Sequence, residues 1–101
     1  MTLREFQANI ERTYGRRDAA RGLAGTFLWF VEEVGELAEA IRLSDAEAVR
    51  EEFADVAAWL VSLAQIEGID LEDAVTAKYG GGCPSCGGCP CRCEDPSRPL
   101  R

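Results

Sequence analysis

The sequence contains no histidine, and its first 79 residues contain no proline. The lack of histidine excludes Ser/His and Cys/His nucleophiles, histidine zinc ligands and a histidine general base, so acid–base chemistry falls to carboxylates, lysine or tyrosine. No apolar run approaches the ~18–20 residues of a membrane span, and charges occupy the N-terminus where a signal peptide would be apolar. We therefore expect a cytoplasmic protein without a membrane partner.

Basic residues are also few. Eleven Lys and Arg stand against 18 Asp and Glu, which leaves a net charge of −7, and nine of the acids lie between Glu32 and Asp55. This balance argues against nucleic acid as a partner, because duplex binding depends on a basic face that neutralises phosphates. A cation is the more natural ligand.

The composition changes abruptly near Gly80. Before it, Ala, Glu, Leu and Arg dominate, which favours helix, whereas all four prolines and all five cysteines lie after it. The length of 101 residues suits one small domain. We therefore predict an all-α domain over residues 1–79, a separate Cys-rich segment over residues 80–93 and a flexible tail over residues 94–101.

About four helices are predicted in the first segment. Their ranges are residues 2–14, 26–42, 45–67 and 70–79. A connection containing two glycines covers residues 16–25, with partial helix there as the alternative. The first helix has Thr2 as its N-cap and Glu5 at the capping-box position, and Gly15 is predicted to end it. The third helix is predicted to stop at Gly68.

The second and third predicted helices each carry one apolar stripe on a helical wheel. The stripes consist of Phe27, Phe30, Val31, Val34, Leu37, Ala38 and Ile41, and of Val49, Phe53, Val56, Leu60, Leu63 and Ala64. So small a helical unit has a thin core and usually needs oligomerisation or a staple. Phe30, Val61 and Ile66, at the sides of their stripes, are predicted to face a second protomer; scattered exposed apolar residues are the alternative.

Four carboxylates carry the main chemical signal: Glu33, Glu36, Glu52 and Asp55. Each i,i+3 pair lies on neighbouring turns of one helix face and can share a cation. Glu52 falls inside the apolar sector, where a carboxylate is costly unless it is paired or bound to metal. Two antiparallel helices would aim all four at one point, and hard oxygen ligands suit Mg²⁺ or Mn²⁺. A solvated acidic face is the alternative.

Two segments resemble the metal-binding helices of the MazG-like nucleotide pyrophosphohydrolases: FVEEVGELAEAI (residues 30–41) and EEFADVAAWLV (residues 51–61). The family pattern of ExxE, a spacer and ExxD is met with a 15-residue spacer between Glu36 and Glu52. The resemblance covers about residues 1–79. It implies an all-α enzyme that assembles as a homodimer or homotetramer of helical bundles.

The same resemblance implies an activity. Such enzymes hydrolyse nucleoside or deoxynucleoside triphosphates to monophosphate and pyrophosphate, in housecleaning of the nucleotide pool. The four matched carboxylates would hold Mg²⁺ and act as the catalytic residues, and one of them or Glu32 would accept the proton of the attacking water.

Candidate substrate-binding residues are few. Arg21 and Lys78 are the candidates for the phosphates, with plain surface charge as the alternative. Trp29 and Trp59 are candidates for stacking on a base, because an aromatic ring accepts any base face. Packing of Trp59 in the core is an equally good interpretation.

The C-terminal segment reads GGGCPSCGGCPCRC over residues 80–93. Closely spaced cysteines in a cytoplasmic chain favour metal over disulfides. The predicted ligands of a closed, structural Zn²⁺ site are Cys83, Cys86, Cys91 and Cys93, with Cys89 in place of Cys91 as a variant. A redox or disulfide cluster and an iron–sulfur cluster are the alternatives.

Two other functions compete with the hydrolase. One is a non-catalytic helical dimer whose zinc tail docks a protein partner. The other is a metal or redox sensor that acts through the thiols.

Overall fold

The structure, a computed structural model, describes residues 1–94, in which the regular secondary structure is entirely α-helical. The helices are α1 (Leu3–Arg42), α2 (Ala46–Ile66) and α3 (Leu71–Tyr79), and residues 1–94 contain no strand. The all-α fold class is confirmed. The predicted tail, apart from Glu94, lies outside the described residues.

The chain divides into two compact units. The first, Met1–Asp70, contains α1 and α2, and the second begins at Leu71 and contains α3 and the cysteines. No helix in the part of the chain that the structure describes has the length and apolar character needed to cross a membrane.

Helix α1 spans the first two predicted helices and is kinked at Gly22, so residues 1–94 contain three helices where about four are predicted. The predicted end at Gly15 is wrong, since a glycine inside a helix costs only ~1 kcal/mol relative to alanine and does not force a stop. The interruption lies instead at Gly22, whose φ of 79° and ψ of 174° are open almost only to glycine.

The remaining helix boundaries follow local signals in the sequence. Thr2 and Glu5 form the predicted capping box, with each side chain accepting a hydrogen bond from the other's backbone N–H at 3.1 Å. Asp45 caps α2 by accepting from the Ala48 N–H. Gly68, at φ 70°, ends α2 in the left-handed conformation that glycine adopts without a steric penalty.

Helices α1 and α2 pack against each other. Three residues connect them, so the C-terminal half of α1 and α2 form an antiparallel pair. The fully buried apolar side chains are only Ala40, Val61 and Ala64 among the described residues. A buried amide adds a polar contact, because Gln7 Nε2 donates to Gln65 Oε1 at 3.0 Å and to the Ile69 carbonyl at 2.8 Å.

Much of the apolar surface of this pair is exposed in the single chain. The exposed apolar residues of α1's second half and of α2 include Leu23, Phe27, Leu28, Trp29, Val31, Val34, Ile41, Phe53 and Leu60. Val61, which was predicted to face a second protomer, is 1% exposed within the chain, so that prediction is wrong. Phe30 and Ile66 are half-buried.

Two glycine-to-alanine variants test whether α1 continues through Gly15 and is interrupted at Gly22. Gly15→Ala should raise the free energy of unfolding by about 0.5–1 kcal/mol, because Gly15 is helical and the added Cβ would meet only Glu11 Cγ at 3.4 Å. Gly22→Ala should lower it by about 1–3 kcal/mol through backbone strain alone, since no atom lies within 4 Å of that Cβ.

Urea unfolding of both variants at one protein concentration provides the measurement. A Gly15→Ala variant that is less stable than the unsubstituted protein would show that the helix ends there.

Candidate active site

The antiparallel pair brings three of the four predicted carboxylates together. Glu33 and Glu36 of α1 and Glu52 of α2 each offer an oxygen, and these oxygens all lie within 4.8 Å of one another. Asp55, one turn further along α2, lies outside this group. We call Glu33, Glu36 and Glu52 the carboxylate group.

The carboxylate group is electrostatically uncompensated. Glu33 and Glu52 are half-buried, and the Oε2 atom of each is buried without a hydrogen-bond partner. None of the ion pairs within residues 1–94 reaches these side chains. Burial raises the pKa of Glu33 to about 7, and the neighbouring carboxylates of Glu52, Glu36 and Asp55 add to this.

Such a site fits a divalent cation. All its donors are carboxylate oxygens, which suit hard ions such as Mg²⁺ and Mn²⁺. Two of those oxygens are buried and have no protein partner, so a cation would satisfy groups that the chain itself leaves unsatisfied.

A cleft of about 260 Å³ lies between α1 and α2, and Asp55 is part of its wall. Its lining residues are Ile10, Tyr14, Arg17, Asp18, Arg21, Asp55, Ala58, Trp59 and Ser62. The cleft therefore combines two carboxylates, two arginines and two aromatic rings.

Arg21 is held in this cleft by two buried partners. Its Nη1 donates to Asp18 Oδ1 at 2.8 Å and to Thr26 Oγ1 at 3.2 Å, and both partners are buried. The guanidinium carbon lies 4.9 Å from the centre of the Trp59 ring. Stacking and two hydrogen bonds together orient the guanidinium.

The sequence model of the MazG nucleotide pyrophosphohydrolase domain matches residues 22–87. The chain belongs to the MazG family. No curated protein gives a significant match. The match includes the carboxylate group and Asp55, and it reaches Cys83 and Cys86, whereas Arg21 lies one residue before it.

The other predicted substrate-binding residues have different surroundings in this MazG chain. Trp29 is exposed and stacks on Trp59, with ring centres 6.2 Å apart and planes at 15°. Lys78 lies on α3 in the second compact unit, exposed, with its Nζ 5.4 Å from the Tyr79 ring centre.

Sequence reasoning missed Asp18 and Thr26. The stretch over residues 16–25 was predicted to be a connection, so the i,i+3 spacing of Asp18 and Arg21 carried no meaning there. Once α1 is known to continue to Gly22, that spacing places both side chains on one face.

The predicted zinc ligands lie in the second unit, and all five cysteines are thiols. Backbone N–H groups of Cys86 and Ser85 lower the pKa of Cys83 to about 6, and those of Arg92 and Gly88 lower the pKa of Cys86. The neighbouring thiols, Cys91 first, raise the pKa of Cys93 to about 12.

The raised pKa of Glu33 predicts a pH-dependent stability in metal-free protein. Folded Glu33 keeps its proton up to about pH 7, whereas an unfolded glutamate loses it near pH 4.3, so the free energy of unfolding should fall as pH rises through this window. The Glu33→Gln variant should lack this contribution. Added Mg²⁺ should stabilise the protein more at about pH 8 than at about pH 6, because only the ionised carboxylate binds the ion.

Urea unfolding in the presence of a chelator, from about pH 5 to about pH 8, gives the free energy of unfolding of the unsubstituted protein and of Glu33→Gln. The thiols contribute equally to both, so the difference between the two free energies reports Glu33 alone. Glu32→Gln, an exposed neighbour, is the control and should follow the unsubstituted protein. Parallel curves for Glu33→Gln and the unsubstituted protein would contradict the prediction.

Proposed function

We propose that this MazG chain hydrolyses nucleoside or deoxynucleoside triphosphates to monophosphate and pyrophosphate. The reaction would depend on Mg²⁺ or Mn²⁺ and would serve housecleaning of the nucleotide pool. The carboxylate group, with its buried and unpartnered oxygens, is the observation that carries this proposal. Family membership supports the reaction class.

Glu33, Glu36 and Glu52 would hold the cation, with Asp55 beside them at the cleft. A bound divalent cation neutralises phosphate charge and lowers the pKa of the attacking water. A carboxylate, either one of these four or Glu32, would accept the proton of that water. Asp55 is well placed for contact with the substrate, because it lines the cleft.

The phosphates would be bound by Arg21. Its guanidinium presents a planar set of donors that matches phosphate oxygens, and Asp18 and Thr26 orient it toward the cleft that Asp55 lines. Lys78, exposed on α3, is a second candidate for the phosphates. Trp29 is the candidate for base stacking, because its ring stacks on Trp59 and is 48% exposed.

Neutralising Glu52 tests the proposed reaction. Glu52→Gln should lower pyrophosphate release by more than ~100-fold, since even the loss of groups that only support a metal ligand costs 10–100-fold. Its helix content should be kept, because the change removes one of three crowded charges. A panel of triphosphates with Mg²⁺, assayed for pyrophosphate, gives the measurement.

Glu51→Gln is the matched control, because Glu51 is the exposed neighbour of Glu52 on the same helix. It should keep its activity. Unchanged turnover in Glu52→Gln would refute the assigned site, and absence of hydrolysis in the unsubstituted protein would favour the non-catalytic dimer that docks a partner.

We further propose that the chain acts as a homodimer or homotetramer. The buried apolar core is small, and large side chains such as Phe27, Leu28 and Val31 are exposed together on α1. The cleft of about 260 Å³ is also smaller than the ~300–1,000 Å³ usual for ligand sites. A second chain would cover the apolar face and add walls to the site.

Sedimentation at micromolar concentration should therefore show a dimer or larger assembly. Leu28→Glu should weaken it, because Leu28 is 70% exposed and a charge there would be buried at the interface. Ala20→Glu, an exposed position on the first half of α1, should leave the assembly intact. A stable monomer of the unsubstituted protein would refute the proposal.

A further inference from the structure

Four of the five cysteines converge on one point in the second compact unit. The sulfur atoms of Cys83, Cys86, Cys91 and Cys93 all lie within 4.8 Å of one another. The Cys83–Cys93 sulfurs are 3.8 Å apart and the Cys86–Cys91 sulfurs are 3.9 Å apart. Cys89 is exposed and is not part of this group.

These separations match a single tetrahedral ion. Zn–S bonds of about 2.3 Å in a regular tetrahedron place neighbouring sulfurs about 3.8 Å apart. A disulfide would need sulfurs at about 2.05 Å, roughly half the observed distance. The four cysteines of an iron–sulfur cluster are divided between two or four iron atoms, so sulfurs on different irons stand farther apart than those around one ion.

The backbone also directs hydrogen-bond donors at the sulfurs. The N–H groups of Gly88 and Arg92 donate to Cys86 Sγ at 3.4 and 3.2 Å, and the Cys93 N–H donates to Cys91 Sγ at 3.4 Å. Donors of this kind stabilise negative charge on sulfur and fix the direction in which a metal ligand points.

The turn between the two cysteine pairs depends on glycine. The Gly87 N–H donates to the Cys83 carbonyl at 2.7 Å and the Cys83 N–H donates to the Gly88 carbonyl at 3.0 Å, which closes a tight loop. A Cβ at Gly82, whose φ is 98°, would meet the Gly88 oxygen at 2.9 Å. The backbone is thus packed closely enough to hold the sulfurs in place.

Apolar burial cannot order this loop. Among residues 80–94 only Gly88, which has no side chain, is buried. Ordering a dozen residues costs about 1–2 kcal/mol each in backbone entropy alone, and a structural zinc ion supplies about 10–16 kcal/mol in small domains.

We propose that Cys83, Cys86, Cys91 and Cys93 bind one Zn²⁺ ion in a closed, structural site. Four thiolates fill a tetrahedral shell and leave no position for water or substrate. Cys89 is not a ligand. This site is independent of the carboxylate group, whose hard oxygens prefer a different class of ion.

Metal analysis of the purified full-length protein tests this assignment. After dialysis against a weak chelator, the unsubstituted protein and Cys89→Ser should each keep about one zinc per chain, whereas Cys91→Ser and Cys83→Ser should lose most of it. Glu52→Gln should keep its zinc, which separates this site from the carboxylates. Replacement of zinc by Co²⁺ should give the intense visible and near-ultraviolet bands of a tetrahedral thiolate site in Cys89→Ser but not in Cys91→Ser.

Three outcomes would overturn the proposal. If Cys91→Ser keeps its zinc and Cys89→Ser loses it, then Cys89 and not Cys91 is the fourth ligand. Iron with inorganic sulfide would indicate a cluster, and disulfides in protein purified without exposure to oxidant would indicate a redox function.

Discussion

Repulsion within the carboxylate group is the constraint on which the first compact unit depends. Two unit charges at roughly 4 Å repel by about 1 kcal/mol in water and by about 4 kcal/mol at the effective dielectric of a protein surface. Glu33 and Glu52 add the cost of buried oxygens without partners. A helix pair with so few buried apolar side chains has little to offset this. A bound cation would convert the repulsion into attraction, so the proposed metal would also stabilise the pair formed by α1 and α2.

The second half of α1 also exposes an apolar face, which the proposed association of chains would cover. Phe27, Leu28 and Val31 lie within two turns of Glu33, so the proposed association of chains and the proposed cation binding would both stabilise the second half of α1. Two ligands that favour the same conformation favour each other's binding by equal free energies. In the proposed assembly, cation binding and oligomerisation are therefore expected to be linked.

Local chemistry explains which features of the fold could be predicted from the sequence. The Thr2–Glu5 box, the Asp45 cap and the left-handed Gly68 satisfy backbone groups at helix ends, so the sequence marks those ends directly. Gly15 and Gly22 look alike in the sequence, and only the backbone dihedral angles distinguish a glycine within a helix from one that interrupts it. For residues 16–25 the sequence interpretation therefore went no further than a partly helical connection, and the Asp18–Arg21 pair escaped prediction.

The candidate site, like the fold, could be predicted only in part from the sequence. The i,i+3 spacing and the apolar neighbours of Glu52 predicted that carboxylates of two helices would meet, and three of them do. The spacing also turns the second residue of each pair by about 60° around its helix. Whether the second side chain then points toward the shared centre depends on how each helix is rotated about its own axis in the pair. Glu36 turns into the group and Asp55 turns out of it, toward the cleft, a difference set by packing that periodicity alone does not contain.

The two clusters of candidate ligands differ in the kind of ion they suit and in what remains open around it. Carboxylates bind hard ions that keep several waters, so the carboxylate group can hold a cation that also contacts phosphate. The cysteines offer soft thiolates in a closed set of four, which suits zinc and leaves no position for a reacting molecule. In the proposed sites, ligand softness rather than affinity would keep each ion in its own place. A chain of 101 residues would then use one metal for chemistry and another to order a loop that has no apolar core of its own.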